Sequence, residues 1–230
     1  IAPYWGMSFS VDSAQGSLSH ELKIAELFWE YPTKTTTKRV KVKNLKLVWQ
    51  PLKLSQLPPH LVVETLSIES IFVDFIAPEN PPPEASESAQ KPINLKDLFP
   101  EESHLPIRFE IKEFKVGEFF WQQERLFHNA QLALTSATES REKHTIENFR
   151  VFYDDLEFSI SGEMAAKKPF AFTMKAAVNG NLQNLLKTES EKNLSPTADL
   201  TGSLKGIEVN LKSEGALQAE GAFLLNPLAV

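Results

Sequence analysis

Apolar residues in this chain recur mostly at every second position, the period of a half-buried β-strand. Phe149, Val151 and Tyr153 share one face, Asp154-Asp155 reads as a turn, and Leu156, Phe158 and Ile160 return on the same side. That arrangement predicts a hairpin. After Lys167-Lys168-Pro169, the alternation Phe170, Phe172, Met174, Ala176, Val178 predicts a full strand. Ala198 to Phe223 repeats the habit with smaller side chains. Helical periodicity is scarce, and only Asn94 to Phe99 and Asn181 to Lys187 read as short helices.

A second pattern lies over the first. The spacing apolar-x-apolar-x-x-apolar-x-apolar occurs as Leu22-Ile24-Leu27-Trp29, Val40-Val42-Leu45-Leu47, Leu66-Ile68-Ile71-Val73 and Phe109-Ile111-Phe114-Val116. Two looser copies surround Ile146-Phe149-Val151, with His144 in the first slot, and Leu204-Ile207-Val209, with Gly202 there. A three-residue step would throw half of a strand onto the wrong face. A β-bulge absorbs the extra residue, keeps one face apolar and bends the strand, and repeated bulges curl a sheet. A two-residue turn at each step is the alternative, and Lys-Asn or Lys-Gly would suit it better than Glu-Ser or Lys-Glu. The irregular spacing between copies excludes a fixed-period solenoid. The expectation is all-β: long antiparallel strands joined by loops of different length, with few short helices.

Breaker residues divide the chain unevenly. Twelve of 15 Pro lie in residues 1–106 and seven of nine Gly beyond them, so the first part is expected to be the more interrupted. Residues 77–94, APENPPPEASESAQKPIN, hold five Pro, no aromatic residue and one bulky aliphatic, Ile93. They bury too little apolar surface to order themselves, and read as a flexible loop within a domain. Residues 186–196 make a weaker second loop. No independent second domain is expected within residues 1–230.

Composition narrows the function classes. The absence of Cys excludes disulfides and thiolate metal sites. A net charge of -6 argues against general nucleic-acid binding. No apolar run approaches the ~20 residues of a membrane helix. The chain opens at Ile1 rather than Met, and is expected to be a fragment of something longer. The five His show no paired ligand spacing, and no GxSxG, P-loop or GxGxxG is present. Asp154-Asp155 and Glu101-Glu102 are adjacent pairs, which on a strand point to opposite faces. No enzyme, metal or cofactor is expected.

Two further features have a plain and a sharp reading. Lys34, Lys38, Arg39, Lys41, Lys43, Lys46 and Lys53 form a basic stretch with no acid between Tyr31 and Val63. It reads first as the solvated face of a strand, and second as a surface for anionic headgroups. Trp29, Trp49 and Trp121 fall near strand ends. They mark a groove lip or membrane-side belt, although core packing is the stronger expectation for at least two.

A curled sheet with one apolar face must bury that face. A closed β-sandwich and an open groove suited to acyl chains stand about equal on the pattern alone. Resemblance to a known family tips the balance. Leu27, Trp29, Val40, Val42, Leu45, Leu47, Trp49, Pro51, Leu52, Leu66, Ile68, Ile71 and Val73 match the strand pattern of the N-terminal periplasmic region of the TamB family. A Pro- and acid-rich loop and the strand LPIRFEIKEFKVGEFFW, residues 105–121, follow in the same order. The chain thus resembles TamB, the inner-membrane subunit of the translocation and assembly module, over roughly residues 16–180; the wider AsmA-like group shares the pattern.

The resemblance implies an elongated curled antiparallel sheet with an open apolar groove, a β-taco. It implies a periplasmic region of an inner-membrane-anchored protein in a diderm bacterium, one piece of a bridge that passes phospholipid between inner and outer membranes and supports outer-membrane biogenesis. Its partners would be phospholipid acyl chains and an Omp85-type barrel, TamA-like, reached through parts absent from this chain. The groove-lining residues would be Val40, Val42, Leu45, Leu47, Leu66, Ile68, Ile71, Val73, Phe109, Ile111, Phe114, Val116, Phe149, Val151, Tyr153, Leu156, Phe158, Ile160, Phe170, Phe172 and Met174. The alternative is a scaffold or chaperone-like module whose open strand edges bind β-segments of outer-membrane protein clients by strand addition.

Overall fold

The computed structural model describes residues 7–17, 19–33, 36–50, 59–76, 101–138, 141–181, 193–203, 205–215 and 218–226. They form twelve strands: β1 (Ser8–Ser17), β2 (Glu21–Pro32), β3 (Thr37–Trp49), β4 (His60–Ile76), β5 (Arg108–Trp121), β6 (Glu124–Thr135), β7 (Lys143–Tyr153), β8 (Leu156–Ala165), β9 (Phe172–Asn181), β10 (Asn193–Ser203), β11 (Gly206–Gly215) and β12 (Ala219–Leu225). All twelve belong to one sheet in sequence order. β1 and β12 do not pair, so the sheet is curled but open. Contacts between strands run between sheet neighbours. No second sheet covers the first among the described residues, which removes the sandwich alternative.

The hairpin expected around Asp154-Asp155 forms as read: Tyr153 pairs with Leu156, Val151 with Phe158 and Phe149 with Ile160. Asp154 takes a left-handed φ of 49°, which its short polar side chain tolerates. The three-residue steps are passed within continuous strands, not by turns. In β2, β3 and β4 they fall on one line across the sheet, so Leu27, Val42 and Ile71 stay in register beyond it. In β5, β6 and β7 they appear as register shifts, as between Ile111 and Phe114. The copy around Leu204 is different. Ser203 pairs with Gly206 there, making it the β10–β11 hairpin.

Three positions depart from the sequence expectation. β4 and β5 are parallel, in a sheet otherwise antiparallel. A parallel pair needs a connection that runs back the length of the strand. β4 has 17 residues, about 55 Å at ~3.3 Å per residue, and the chain leaves it at Ile76 and re-enters the sheet at Arg108, beside His60 at the other end. The Pro-rich stretch 77–94 belongs to this crossover but lies outside the described residues, as do the helix expected at 94–99 and most of that at 181–187. The second expected loop, 186–196, overlaps β10 from Asn193 onward. Phe170 is not on a strand: β9 begins at Phe172. Phe170 closes a turn with a left-handed φ of 55°, donating its N–H to the Lys167 carbonyl at 2.8 Å.

Candidate functional site: an apolar groove with unlike lips

Pairing carries the apolar alternation across the whole sheet. One transverse row runs Gly16, Leu22, Leu47, Leu66, Phe114, Leu132, Phe149, Ile160, Ala176, Ala198, Leu211 and Gly221, one residue per strand. Eleven inter-strand steps of ~4.8 Å make this floor about 50 Å long. A parallel row holds Val11, Leu27, Val42, Ile71, Phe119 and Phe127. The rings of Phe119 and Phe127 stack at 4.8 Å between centroids.

The sequence-predicted lining residues fall on this face. Val40 pairs with Val73, Leu45 with Ile24 and Ile68 with Val116. Phe109 and Ile111 lie beside Leu61 and Val63. Phe172 lies opposite Met164, and Met174 opposite Gly162. Phe170 is the exception, held in its turn and buried at 5% exposure. Val116 and Leu156 are also buried, Tyr153 and Ile160 are exposed, and the other sixteen are half-buried. Half-burial is what the walls of an open trough show; sandwich-core residues would be covered. The sequence reading missed Phe119, Leu132, Ala176, Ala198 and Leu211. Pairing marks each: Phe119 lies opposite Ile71, Leu132 between Phe114 and Phe149, and Ala176, Ala198 and Leu211 continue the row strand by strand from Ile160, a signal that composition does not supply.

The opposite face is charged. Arg39 pairs with Glu30 at 2.6 Å, Lys41 with Glu26 at 2.8 Å and Lys143 with Glu163 at 2.7 Å. Arg39, Lys41 and Lys46 of the basic stretch thus lie on a solvated strand face answered by acids on β2, as the plain reading had it, while Lys34 and Lys53 lie outside the described residues. A depression of about 640 Å³ on this side is lined by Glu147, Arg150, Lys175 and Asp199 among others, a lining too polar for acyl chains.

The two margins of the sheet differ. Where β4 and β5 start, chain segments fold inward. Ser103 N–H donates to the Ala166 carbonyl at 2.7 Å, and Leu105 N–H to that of Ala137 at 3.2 Å. Ala137, Ala166, Thr138 and Phe170 are buried there. His144 pins this lip. Ala137 N–H donates to Nδ1 at 3.0 Å, leaving Nε2–H to donate to Ser103 Oγ at 3.0 Å. Ser103 passes its own hydrogen to the Ala166 carbonyl at 3.1 Å. Burial, above all, pushes the His144 pKa down, and the charge of His104 adds to this against a Ser103 backbone contact.

Where β4 and β5 end, the lip is open and aromatic. Phe9, Trp29, Val40, Val73 and Trp121 form one row, and Tyr31, Lys38 and Phe75 the next. Trp29 is 42% and Trp121 40% exposed, and Tyr153 at the same margin 43%. The core packing expected for at least two of the three tryptophans is absent: Trp29 and Trp121 stand exposed at a lip, where no second layer among the described residues reaches them.

An open sheet with a continuous, half-exposed apolar face and a charged back defines a β-groove protein. The chain belongs to the TamB N-terminal-domain family: residues 92–230 match the family described as TamB, N-terminal domain. The match takes in β5 to β12, whereas much of the residue resemblance quoted above lies in β2 to β4. No curated protein and no solved structure matches the chain. Among the described residues no helix is long and apolar enough to cross a membrane, and no cluster of His, Asp and Glu is arranged to hold a metal ion.

Proposed function

We propose that this chain is a stretch of a periplasm-spanning bridge that passes phospholipid along its apolar groove between inner and outer membranes, in support of outer-membrane biogenesis. The unbroken floor row from Gly16 to Gly221 carries the reading. Acyl chains meet similar apolar contacts at each strand, so no step along the track is much deeper than the next. Such passage needs no catalytic residue and no cofactor. On this reading residues 1–230 are one length of groove without a second domain. They belong to the periplasmic region of an inner-membrane-anchored protein of a diderm bacterium, and a TamA-like barrel of the Omp85 type is engaged through parts beyond this chain.

The test is native mass spectrometry with lipid extraction of the purified chain and of Phe158→Glu and Phe172→Glu. Phospholipid should accompany the parent chain, and a charge on the half-buried face should cut its yield about tenfold or more with the far-ultraviolet β signal retained. A parent chain that carries no lipid, or variants that simply unfold, would overturn the reading.

The free edges of β1 and β12, each with a single neighbour, support a second reading, strand addition by β-segments of outer-membrane clients. That binding would be untouched by Phe158→Glu, since it uses backbone edges rather than the groove floor.

A further inference from the structure

On the apolar face of all twelve strands, one side chain among the described residues carries a positive charge. It is Lys38, two positions before Val40 on β3 and therefore on the same face. His144, the other basic residue on that face, is held neutral at the opposite lip. Every other described cation of β3 points to the back of the sheet and is answered there: Arg39 by Glu30, Lys41 by Glu26, Lys46 by Glu21, and Lys43 by the ring of Phe72 at 5.2 Å. Lys38 instead has aromatic cross-strand partners, Tyr31 and Phe75, and its Nζ stands 5.7 Å from the Phe75 ring centroid. Trp121 packs on the far side, 4.8 Å from Phe75 between centroids. One described carboxylate shares this face, Glu124 at the start of β6, opposite Trp121 and three strands away from Lys38.

We propose that Lys38 binds the phosphate of a phospholipid whose acyl chains lie in the groove, and that headgroups therefore leave over the aromatic lip of β2–β5. The proposal rests on the groove reading above. A phospholipid carries its anion one glycerol unit from its acyl chains, which is the juxtaposition offered here: a cation at the margin of an apolar trough. Trp29, Tyr31 and Trp121 suit the glycerol-ester zone between, each joining an apolar ring to an N–H or O–H donor. The other lip is occupied by the inward-folded segments around Ala137, Ala166 and Phe170, so headgroups have one side to leave by.

The 230-residue chain, stripped of lipid, is offered phosphatidylethanolamine, and separately diacylglycerol with the same acyl chains, in detergent micelles. Uptake is read by native mass spectrometry. Lys38→Ala should lower phospholipid uptake about tenfold, the scale of a lost charge-assisted contact, and leave diacylglycerol uptake unchanged. Lys38→Arg should keep both, and Lys41→Ala, on the back face, should change neither. Equal uptake by Lys38→Ala and parent, or an equal fall for both lipids, overturns the role of Lys38 while leaving the groove standing. A parent chain that takes up neither lipid overturns the groove reading and this proposal with it.

Discussion

His144 secures the closed lip only while it is uncharged, because the acceptor of the Ala137 N–H is the nitrogen that a second proton would occupy. Burial, the largest influence, holds its pKa below the ordinary histidine value. Above a pH of about 6.5 the imidazole is neutral folded and unfolded, and contributes no slope. As pH falls through that value the unfolded chain gains a proton that the folded chain refuses, so stability declines until the lowered folded pKa is reached. Glu64, held low first by its hydrogen bond from Lys112, and Glu163, held low first by that from Lys143, titrate below this window. Urea unfolding at pH 7.5 and 5.5 should therefore show a loss of stability on acidification that shrinks in His144→Gln, whose amide oxygen can still accept from Ala137. His144→Leu, which strands that buried N–H, should cost about 1–3 kcal/mol at both pH values. An identical pH slope in parent and His144→Gln would remove His144 as its source.

At the level of the strand, the three-residue step is what lets one face stay apolar while the sheet curls. Asn44 and Asn129 absorb it with left-handed φ of 49°, and Ser13 with 50°. Between Asn44 and Asn129, Gly117 solves the same problem by close approach. A Cβ there would lie 2.5 Å from the Glu69 carbonyl oxygen, a backbone atom that cannot swing aside. Gly117→Val should destabilise by about 2 kcal/mol or more, and Asn129→Val by about 1–2 kcal/mol, because β-branched residues resist that φ. Calorimetry of both variants would check this, and parent-like melting of Gly117→Val would mean β4 and β5 are further apart than described. The steps were legible in the sequence because Ala25-Glu26, Lys43-Asn44 and Glu69-Ser70 each interrupt a regular alternation. The Asp154 hairpin was legible because a two-residue polar turn leaves both arms in phase. The β4–β5 pairing was not: Leu66-Ile68-Ile71-Val73 pairs equally well with an apolar strand of either direction, and nothing in the alternation says at which end of β4 the next strand enters the sheet. Nor did the pattern reveal β1, whose SFSVDSAQGS is exposed throughout and is held by its pairing with β2.

For the molecule as a whole, the decisive quantity is how little is fully buried. Val62, Val63, Val116, Ala130, Ala137, Leu156, Ala166 and Phe170 are the buried apolar side chains described for a twelve-stranded sheet. Most of the apolar face is half covered, and hydrophobic stabilisation scales with area removed from water. The sheet therefore rests on its ladder and neighbouring-strand contacts, and on the proposed function it would gain the missing cover from acyl chains in the trough. A ligand that binds only the folded state stabilises it by about 2.7 kcal/mol at a hundred times its dissociation constant. For a chain of this size that corresponds to a rise in Tm of about 5–10 °C. The lipid-loaded chain should accordingly melt higher than the stripped one by that amount. The stripped chain should also bind a fluorescent apolar dye that loaded protein excludes, while both keep the same strand content. Equal melting and equal dye binding would mean that the half-exposed face is already satisfied by the protein itself. A floor row running from Leu22 to Leu211 with no second layer over it among the described residues makes the opposite outcome the one that physical chemistry requires of a groove.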